Sequence, residues 1–318
     1  MSILVYAESQ NGNFKKSAFE AVSYGSALAK ESKKKLVVIS INAKNPKELA
    51  KYGPDKIISI SNSSMNNYNA QVFADSVSEV SKKEGVSILV LSSTADSKYI
   101  APLIAIQLSA GLASNVVSTP ISISPLVVKR SCFTNKAFNE TKLLGDINII
   151  CVSNNSYGIH ENQTQPEMVD ENAIVKNPKT KVESIDKATG LVSIADADIV
   201  ISGGRGLKGP ENWHLIEELA STLGAATACS KPVSDMGWRP HSEHVGQTGK
   251  PVASNLYIAI GVSGAIQHLA GINASKVKVV INNDPEAPFF KAADYGIVAD
   301  AFDVVPKLTE KLKEFKSQ

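Results

Sequence analysis

Short apolar runs alternate with longer amphipathic stretches through the first third of the chain, and this alternation restricts the fold more than any single motif does. "SILVYAE" (2–8), "KLVVISI" (35–41) and "VSILVLSS" (86–93) have strand length and are rich in aliphatic, often β-branched residues. Helical stretches lie between them, from Lys15 to Lys30 and from near Tyr68 to Glu84. A strand that is apolar on both faces belongs inside a covered sheet, and the order strand, helix, strand makes that sheet parallel with helices on both sides. The expected class is therefore α/β. A length of 318 residues allows two such cores.

One segment competes with this reading. No charged residue occurs from Tyr99 to Val128, and "IAPLIAIQLSAGLASNVV" approaches the ~20 residues that a bilayer span requires. Gln107, Gly111, Asn115 and "STP" at 118–120 break it into a helix ending near Gly111 and an extended segment. It also lacks the basic flanking bias of a span, so no membrane insertion is expected. From Pro125 to Ser153 the polar and apolar residues of "PLVVKRSCFTNKAFNETKLLGDINIICVS" alternate, which predicts β-hairpins. The polar "NNSYGIHENQTQPE" and "VKNPKTKVESIDKATG" read as loop and linker, placing a boundary near Thr189 between an N-terminal α/β domain (1–189) and a second domain (190–318).

Composition removes several function classes. With 43% hydrophobic residues, 20% charged residues and a net charge of +2, the chain has no general attraction for nucleic acid or anionic membranes. Cys132, Cys151 and Cys229 are widely spaced and odd in number, which argues against a disulfide framework and for a reducing compartment. The first apolar run, Ile3 to Tyr6, has neither the length nor the basic flank of a signal peptide, so the expected location is cytoplasmic. Histidines and cysteines do not cluster at metal-binding spacing, no serine, histidine and acid set suggests a hydrolase, and no internal repeat is visible. "KLTEKLKEFKSQ" at the C-terminus reads as an exposed helical end.

The second half carries the motifs. In "ADIVISGGRGLKGPENWHLIEELA" a strand at Ile199 to Ser202 runs through Gly204-Arg205-Gly206 into an amphipathic helix, the context of a dinucleotide fingerprint. The next strand, Ala225 to Cys229, ends in Ser230-Lys231, whereas a nicotinamide site needs an acidic residue there to hold ribose hydroxyls. Two readings of the turn remain: an anion site using Arg205 and backbone N–H groups, or a tight glycine turn without a ligand. "HVGQTGKP" (244–251) resembles the end of a P-loop but is not one. His244 replaces the first glycine and Pro251 the final Ser/Thr. His241 and His244 are expected to face solvent, and Trp213 and Trp238 to serve packing. A second strand, turn and helix follows at Leu256 to Ala270. Further strands stop at Asn282 and Asp300, so polar residues recur past the carboxyl ends of several strands, where open α/β sheets bind ligands.

"GGRGLK", "VGQTGK", "GVSGAIQHLAG" and "NDPEAPFFKAADYGIVAD", in this order, closely resemble the carboxyl-terminal half of the α subunits of electron transfer flavoproteins across about residues 199 to 312. The resemblance implies two α/β domains with mainly parallel sheets, the C-terminal one a Rossmann-like FAD-binding domain. It implies a heterodimer with a β subunit that completes the site and carries AMP or a second flavin. Arg205 would then lie near the flavin or its pyrophosphate, and Ser230 and Lys231 beside the flavin. Lys231 stands where the family often has arginine, keeping the charge but losing the planar stacking surface. Val245, Gly246, Gln247 and Thr248 would surround the ring and ribityl chain, with Thr248 donating to the flavin N5. Ser263, Gly264, Ala265, Ile266, Gln267 and His268 would form the turn and helix, His268 donating toward N1/C2=O, where negative charge accumulates on reduction. Asn282, Asp300 and Ala301 would surround the adenosine.

The function implied is an electron carrier rather than a substrate-transforming enzyme, accepting electrons from acyl-CoA and related dehydrogenases and passing them to a quinone oxidoreductase, as in fatty acid β-oxidation. Two alternatives are an NAD-dependent Rossmann-type oxidoreductase using the same glycine turn and a nucleotide-binding interaction module without redox chemistry. Flavin absorbance in the purified complex separates the first from the second, and bleaching by dithionite separates it from the third.

Overall fold

Five apolar segments of the first 155 residues form the parallel centre of one sheet: β1 (Ser2–Ala7), β2 (Lys35–Ile41), β3 (Lys56–Ile60), β4 (Val86–Ser92) and β8 (Asn148–Val152). With β5 (Gly111–Val116), β6 (Leu126–Cys132), β7 (Ala137–Leu143) and β9 (Glu167–Glu171), the order across the sheet is β7-β6-β5-β8-β4-β1-β2-β3-β9, a two-residue strand at Ser122–Ile123 pairing with β6. The structure is a computed structural model and describes residues 1–133, 135–173, 178–185 and 193–317. They fall into two compact units, 1–132 with 138–187, and 188–318 with 133–137. The boundary expected near Thr189 lies outside the described residues.

In the first unit, odd and even positions of β1 separate onto the two faces of the sheet. Ile3, Val5 and Ala7 pack with Ala18, Ala21, Val22 and Leu28 of α1 (Lys16–Ser32). Leu4 and Tyr6 pack with Val77 of α2 (Ala70–Lys83) and Ile100 and Ile104 of α3 (Ala95–Leu108). α2 and α3 start where side chains satisfy free amides: Asn69 accepts from Gln71 and Val72, and Thr94 accepts from Ser97. No helix among the described residues is long and apolar enough to cross a membrane.

The hairpins expected over 125–153 form only in part. β6 and β7 are neighbours, but Asn148–Val152 is a fully buried strand that runs parallel to both β4 and β5. After Asn148, "IICV" is a continuous apolar run rather than an alternating one, and such a run suits a central strand covered on both faces. β9, not expected from the sequence, adds to the sheet edge in parallel with β3.

The second unit holds a five-stranded, all-parallel sheet of β10 (Ile199–Gly203), β11 (Ala226–Cys229), β12 (Leu256–Ile260), β13 (Val277–Asn282) and β14 (Tyr295–Val298), ordered β11-β10-β12-β13-β14. The chain moves from β10 to one side through α4 (His214–Leu223), then returns to the other side of β10 with β12. The order reverses there. Such a reversal opens a crevice at the carboxyl ends of the strands. One face is covered by α4 and α7 (Ala301–Lys316), through Ile216, Leu219 and Val305 on Ile201 and Ile258. The other face carries Val200, Tyr257, Ala259, Val280, Ile272 and Phe289.

Candidate functional site

Gly203, Cys229 and Ile260 are register partners across β11, β10 and β12, so three strands end level at the crevice of the second unit. The turns leaving them meet there. Gly206 donates its amide to the Gly261 carbonyl at 3.0 Å, and Ser230 donates its own to Gly203 at 3.1 Å. A Cβ on Gly206 would stand 2.7 Å from the Gly261 α-carbon. Turn-to-turn contact therefore demands a glycine there, whether or not a phosphate approaches from outside.

Residues 244–250 form the third side. Val245 donates to the Cys229 carbonyl at 3.0 Å, and Gln247 donates to the Gln267 carbonyl at 2.7 Å. The loop is thus tied to the end of β11 and to α6 (Ile266–Ile272). Gly246 and Gly271 approach so closely that a Cβ on Gly271 would lie 2.6 Å from the Gly246 α-carbon. Val245 and Gly246 are buried by these contacts, whereas Gln247 and Thr248 are exposed. The loop presents its polar side chains outward and anchors itself with its backbone.

The remaining sequence-predicted residues extend this edge. Ser230 is buried and precedes the short helix α5 (Lys231–Asp235), while Lys231 is exposed and pairs with Asp235 at 2.5 Å. Arg205 is exposed in the turn after β10. Ser263, Ala265, Ile266 and Gln267 are exposed around buried Gly264. Asn282, at the end of β13, donates its side-chain amide to the Val262 carbonyl at 3.0 Å. Asp300 caps α7 by accepting from Phe302 and lies 3.5 Å from Lys208. The Phe302 amide first, and Lys208 less, hold its carboxyl below the usual range. Ala301 is buried in the first turn of α7. Hydrogen bonds and ion pairs therefore link the β10 turn, the β11 end, loop 244–250, α6, the β13 end and the α7 start along one sheet edge.

Two histidines give the site its chemistry. His268 is buried, its Nε2 lies 2.9 Å from the Tyr257 hydroxyl, and its Nδ1 has no hydrogen-bond partner. Burial first, then neighbouring His244, push its pKa down to about 4 against a small opposing effect of the Val245 backbone. His244, expected to face solvent, is only 2% exposed, because backbone links to Cys229 and Lys250 draw it inward. Its Nδ1 is likewise buried without a partner, and burial, His241 and Lys231 lower its pKa. Both rings are neutral at pH 7, and each has an unused ring nitrogen. Buried histidine nitrogens without a protein partner, side by side at a strand-end crevice, fit a site that hydrogen-bonds a ligand. Trp213 is buried in the core, as expected. The adjacent Cys229 thiol is pushed up to about 12, chiefly by burial, and is no nucleophile.

Sequence reasoning missed the support behind the loop. Arg239 donates Nε and Nη2 to the two carboxylate oxygens of buried Glu243 at 2.9 and 2.6 Å, and Nη1 to Glu217 of α4 at 2.9 Å. Its guanidinium also lies over the Trp213 ring. Arg239 and Glu243 do not share a helix, since Pro240 between them is extended, so the sequence carried no signal for the pair. The corresponding crevice of the first unit, between β1 and β4, is filled differently: buried Glu8 pairs with Lys15 and accepts from Thr94 at 2.5 Å. No group of three or more potential metal ligands occurs among the described residues.

Comparison with known proteins gives the family of the chain. The sequence profile of the electron transfer flavoprotein FAD-binding domain matches residues 193–273, and that of the electron transfer flavoprotein domain matches residues 3–185, extending the likeness into the first half. The electron transfer flavoprotein subunit alpha of Bacillus subtilis is 34% identical over 316 residues, covering 98% of this chain and 97% of that one. Protein FixB of Clostridium saccharobutylicum is 30% identical over 332 residues, covering 99% and 97%. The mitochondrial electron transfer flavoprotein subunit alpha of Dictyostelium discoideum is 56% identical over 123 residues, covering 39% and 35%. A two-domain α/β chain matched by both profiles and nearly end to end by such relatives belongs to the electron transfer flavoprotein family, as an α subunit.

Proposed function

We propose that this chain holds FAD at the carboxyl edge of its second sheet and, with a β subunit, carries electrons from acyl-CoA and related dehydrogenases to a quinone oxidoreductase, in the cytoplasm. The observation that carries the reading is the pair of buried, unpartnered Nδ1 atoms of His244 and His268 beside exposed Gln247 and Thr248. Residues 190–318 would form the FAD-binding domain and residues 1–189 the unit that packs on the partner. Bound FAD supplies one- and two-electron transfer. The chain's own residues set its position and energy. Arg205 would bind the pyrophosphate as a charge-assisted donor. Thr248 would donate to N5 and a histidine N–H to the N1/C2=O edge, so donors stand where negative charge develops and need no reorganisation when it arrives. Ser230 and Lys231 would border the ring, Ser263 to Gln267 the chain between ring and adenosine, and Asn282, Asp300 and Ala301 the adenosine.

A partner is supported by α3, where Tyr99, Pro102, Leu103 and Ile106 share one helical stripe; Tyr99 and Ile106 are 66% and 79% exposed. Such a stripe suits burial under a second subunit.

Coexpression with the β subunit tests the reading. One FAD per heterodimer, bleached by dithionite and by an acyl-CoA dehydrogenase with its substrate, is the expected result, with AMP or a second flavin in the partner. Bound NAD without flavin overturns it, as does an adenine nucleotide without any dithionite response.

A further inference from the structure

Tyr257 lies in the middle of the second sheet, wholly buried, and its hydroxyl is 2.9 Å from His268 Nε2. Phe289 closes the group, stacked on Tyr257 at a 6° interplanar angle and tilted against the His268 ring. A buried tyrosine hydroxyl must find a partner for its proton, and burial drives its pKa far above the ordinary value, so the group stays protonated. A neutral imidazole has one donor and one acceptor nitrogen, and the bond made by one decides the other. If Nε2 carried the proton and donated to Tyr257, the tyrosine proton would have to turn to the buried Ser202 hydroxyl, and Nδ1 would be a bare acceptor beside the Val245 backbone. If the tyrosine donates, one hydrogen bond satisfies both the hydroxyl proton and Nε2, and Nδ1 carries the proton. The second arrangement lets the Ser202 hydroxyl donate to the tyrosine oxygen and turns Nδ1–H toward the Val245 backbone, which acts on the ring as an acceptor does, whereas the first sets a bare Nδ1 lone pair against that acceptor.

We propose that Tyr257 is a positioning residue: its hydroxyl donates to His268 Nε2, fixes the imidazole as the Nδ1–H tautomer, and so makes His268 a hydrogen-bond donor toward loop 244–248. The neighbours acting on the ring from that loop are His244 and the Val245 backbone, which puts the unpaired nitrogen on the loop side. The role toward FAD rests on the function proposed above, because a donor there serves a ligand edge that gains negative charge. The tautomer rests on the geometry around Tyr257 and His268 alone.

The test is a two-bond 1H–15N correlation spectrum of 15N-histidine-labelled heterodimer, recorded at pH 7 before and after removal of FAD. This chain contributes five histidines to the spectrum, and His268→Gln identifies the His268 signals by their loss. Wild type should show His268 as the Nδ1–H tautomer in both states. Tyr257→Phe removes only the hydroxyl and should move the population toward Nε2–H, with FAD bound about tenfold more weakly. An Nε2–H tautomer in wild type, or an unchanged tautomer in Tyr257→Phe, overturns the proposal. The wild-type spectrum decides by itself if the variant does not assemble. A complex that shows the Nδ1–H tautomer and binds no FAD overturns the functional reading and leaves the tautomer assignment standing.

Discussion

Gly206 and Gly261 are joined backbone to backbone: the Gly206 amide donates to the Gly261 carbonyl at 3.0 Å, and a Cβ on either would fall within 2.8 Å of the other's α-carbon. Gly261 also has a φ of +63°, a conformation costly for other residues. Gly206→Ala should therefore push the two turns apart. Overpacking against backbone leaves no flexible side chain to yield, and a loss on the order of 3 kcal/mol is expected. Denaturant unfolding would show a lower midpoint at unchanged slope, and flavin content of the purified heterodimer should fall in parallel. Normal stability with lost flavin would instead assign Gly206 to ligand contact.

Arg239 should act on the loop from behind. Removing its guanidinium leaves buried Glu243 without its bidentate partner, which is costlier than losing a surface ion pair because the carboxylate stays desolvated. Since the Arg239 side chain is partly exposed, Arg239→Ala should cost about 2 kcal/mol rather than the full penalty of a buried pair. Adding Glu243→Gln should recover part of that loss. A double variant as unstable as the sum of the singles would show that the two do not act as a pair.

The strands were legible because burial on both faces leaves an apolar run that no loop would carry, and "SILVYA" and "KLVVISI" are strands as expected. "IICV" carried the same signal and was absorbed into a hairpin reading by the alternating residues before it. "EMVDE" had no such signal, since an edge strand half in solvent can be mostly polar. In the site, the converging turns were legible as polar residues after strands. The burial of His244 was not, because backbone links to Cys229 and Lys250, distant from or local to it, draw it in without a sequence mark. The partnership of Tyr257 and His268 is a tertiary contact between a strand and the following helix; the only available hint was a tyrosine inside an otherwise apolar strand.

Ile106 tests the partner surface. It is exposed, so Ile106→Glu should change the stability of this chain by less than about 0.5 kcal/mol. Under a partner subunit the same carboxylate would be desolvated, and about 2 kcal/mol, or roughly thirtyfold in dissociation constant, is expected. Sedimentation of the coexpressed pair measures this. Unchanged association would remove the α3 stripe from the interface.

Lys231 is held by Asp235 one turn along α5, at 2.5 Å, with both side chains more than half exposed. Asp235→Asn releases the ammonium and removes one negative charge, both favouring a negative flavin. Solvent screening limits the effect to about 0.5 kcal/mol, or roughly 20 mV upward in a one-electron potential. Lys231→Arg should give a larger rise by adding a planar stacking cation. Redox titration of the three heterodimers checks the order; equal potentials would place residue 231 away from the ring.

The final prediction concerns acid. His268 has a folded pKa of about 4 against an ordinary value of 6.5, because burial excludes the charged form and neighbouring His244 repels it. Between these pH values the unfolded chain binds a proton that the folded chain refuses, so stability rises with pH across the window. This contribution is fully present above pH 6.5 and lost as pH falls through about 4; it amounts to about 3 kcal/mol. His244, whose pKa is also lowered, adds in the same direction. Urea unfolding of the flavin-free chain from pH 7.5 to 4 should therefore show a steep acid loss that is visibly shallower in His268→Gln, with the remaining slope carried partly by His244. Tyr257→Phe should keep the steep loss, since its imidazole remains buried and neutral. Parallel acid limbs for wild type and His268→Gln would mean that the ring is charged or exposed in the folded chain, and the neutral donor assigned to the site would go with it.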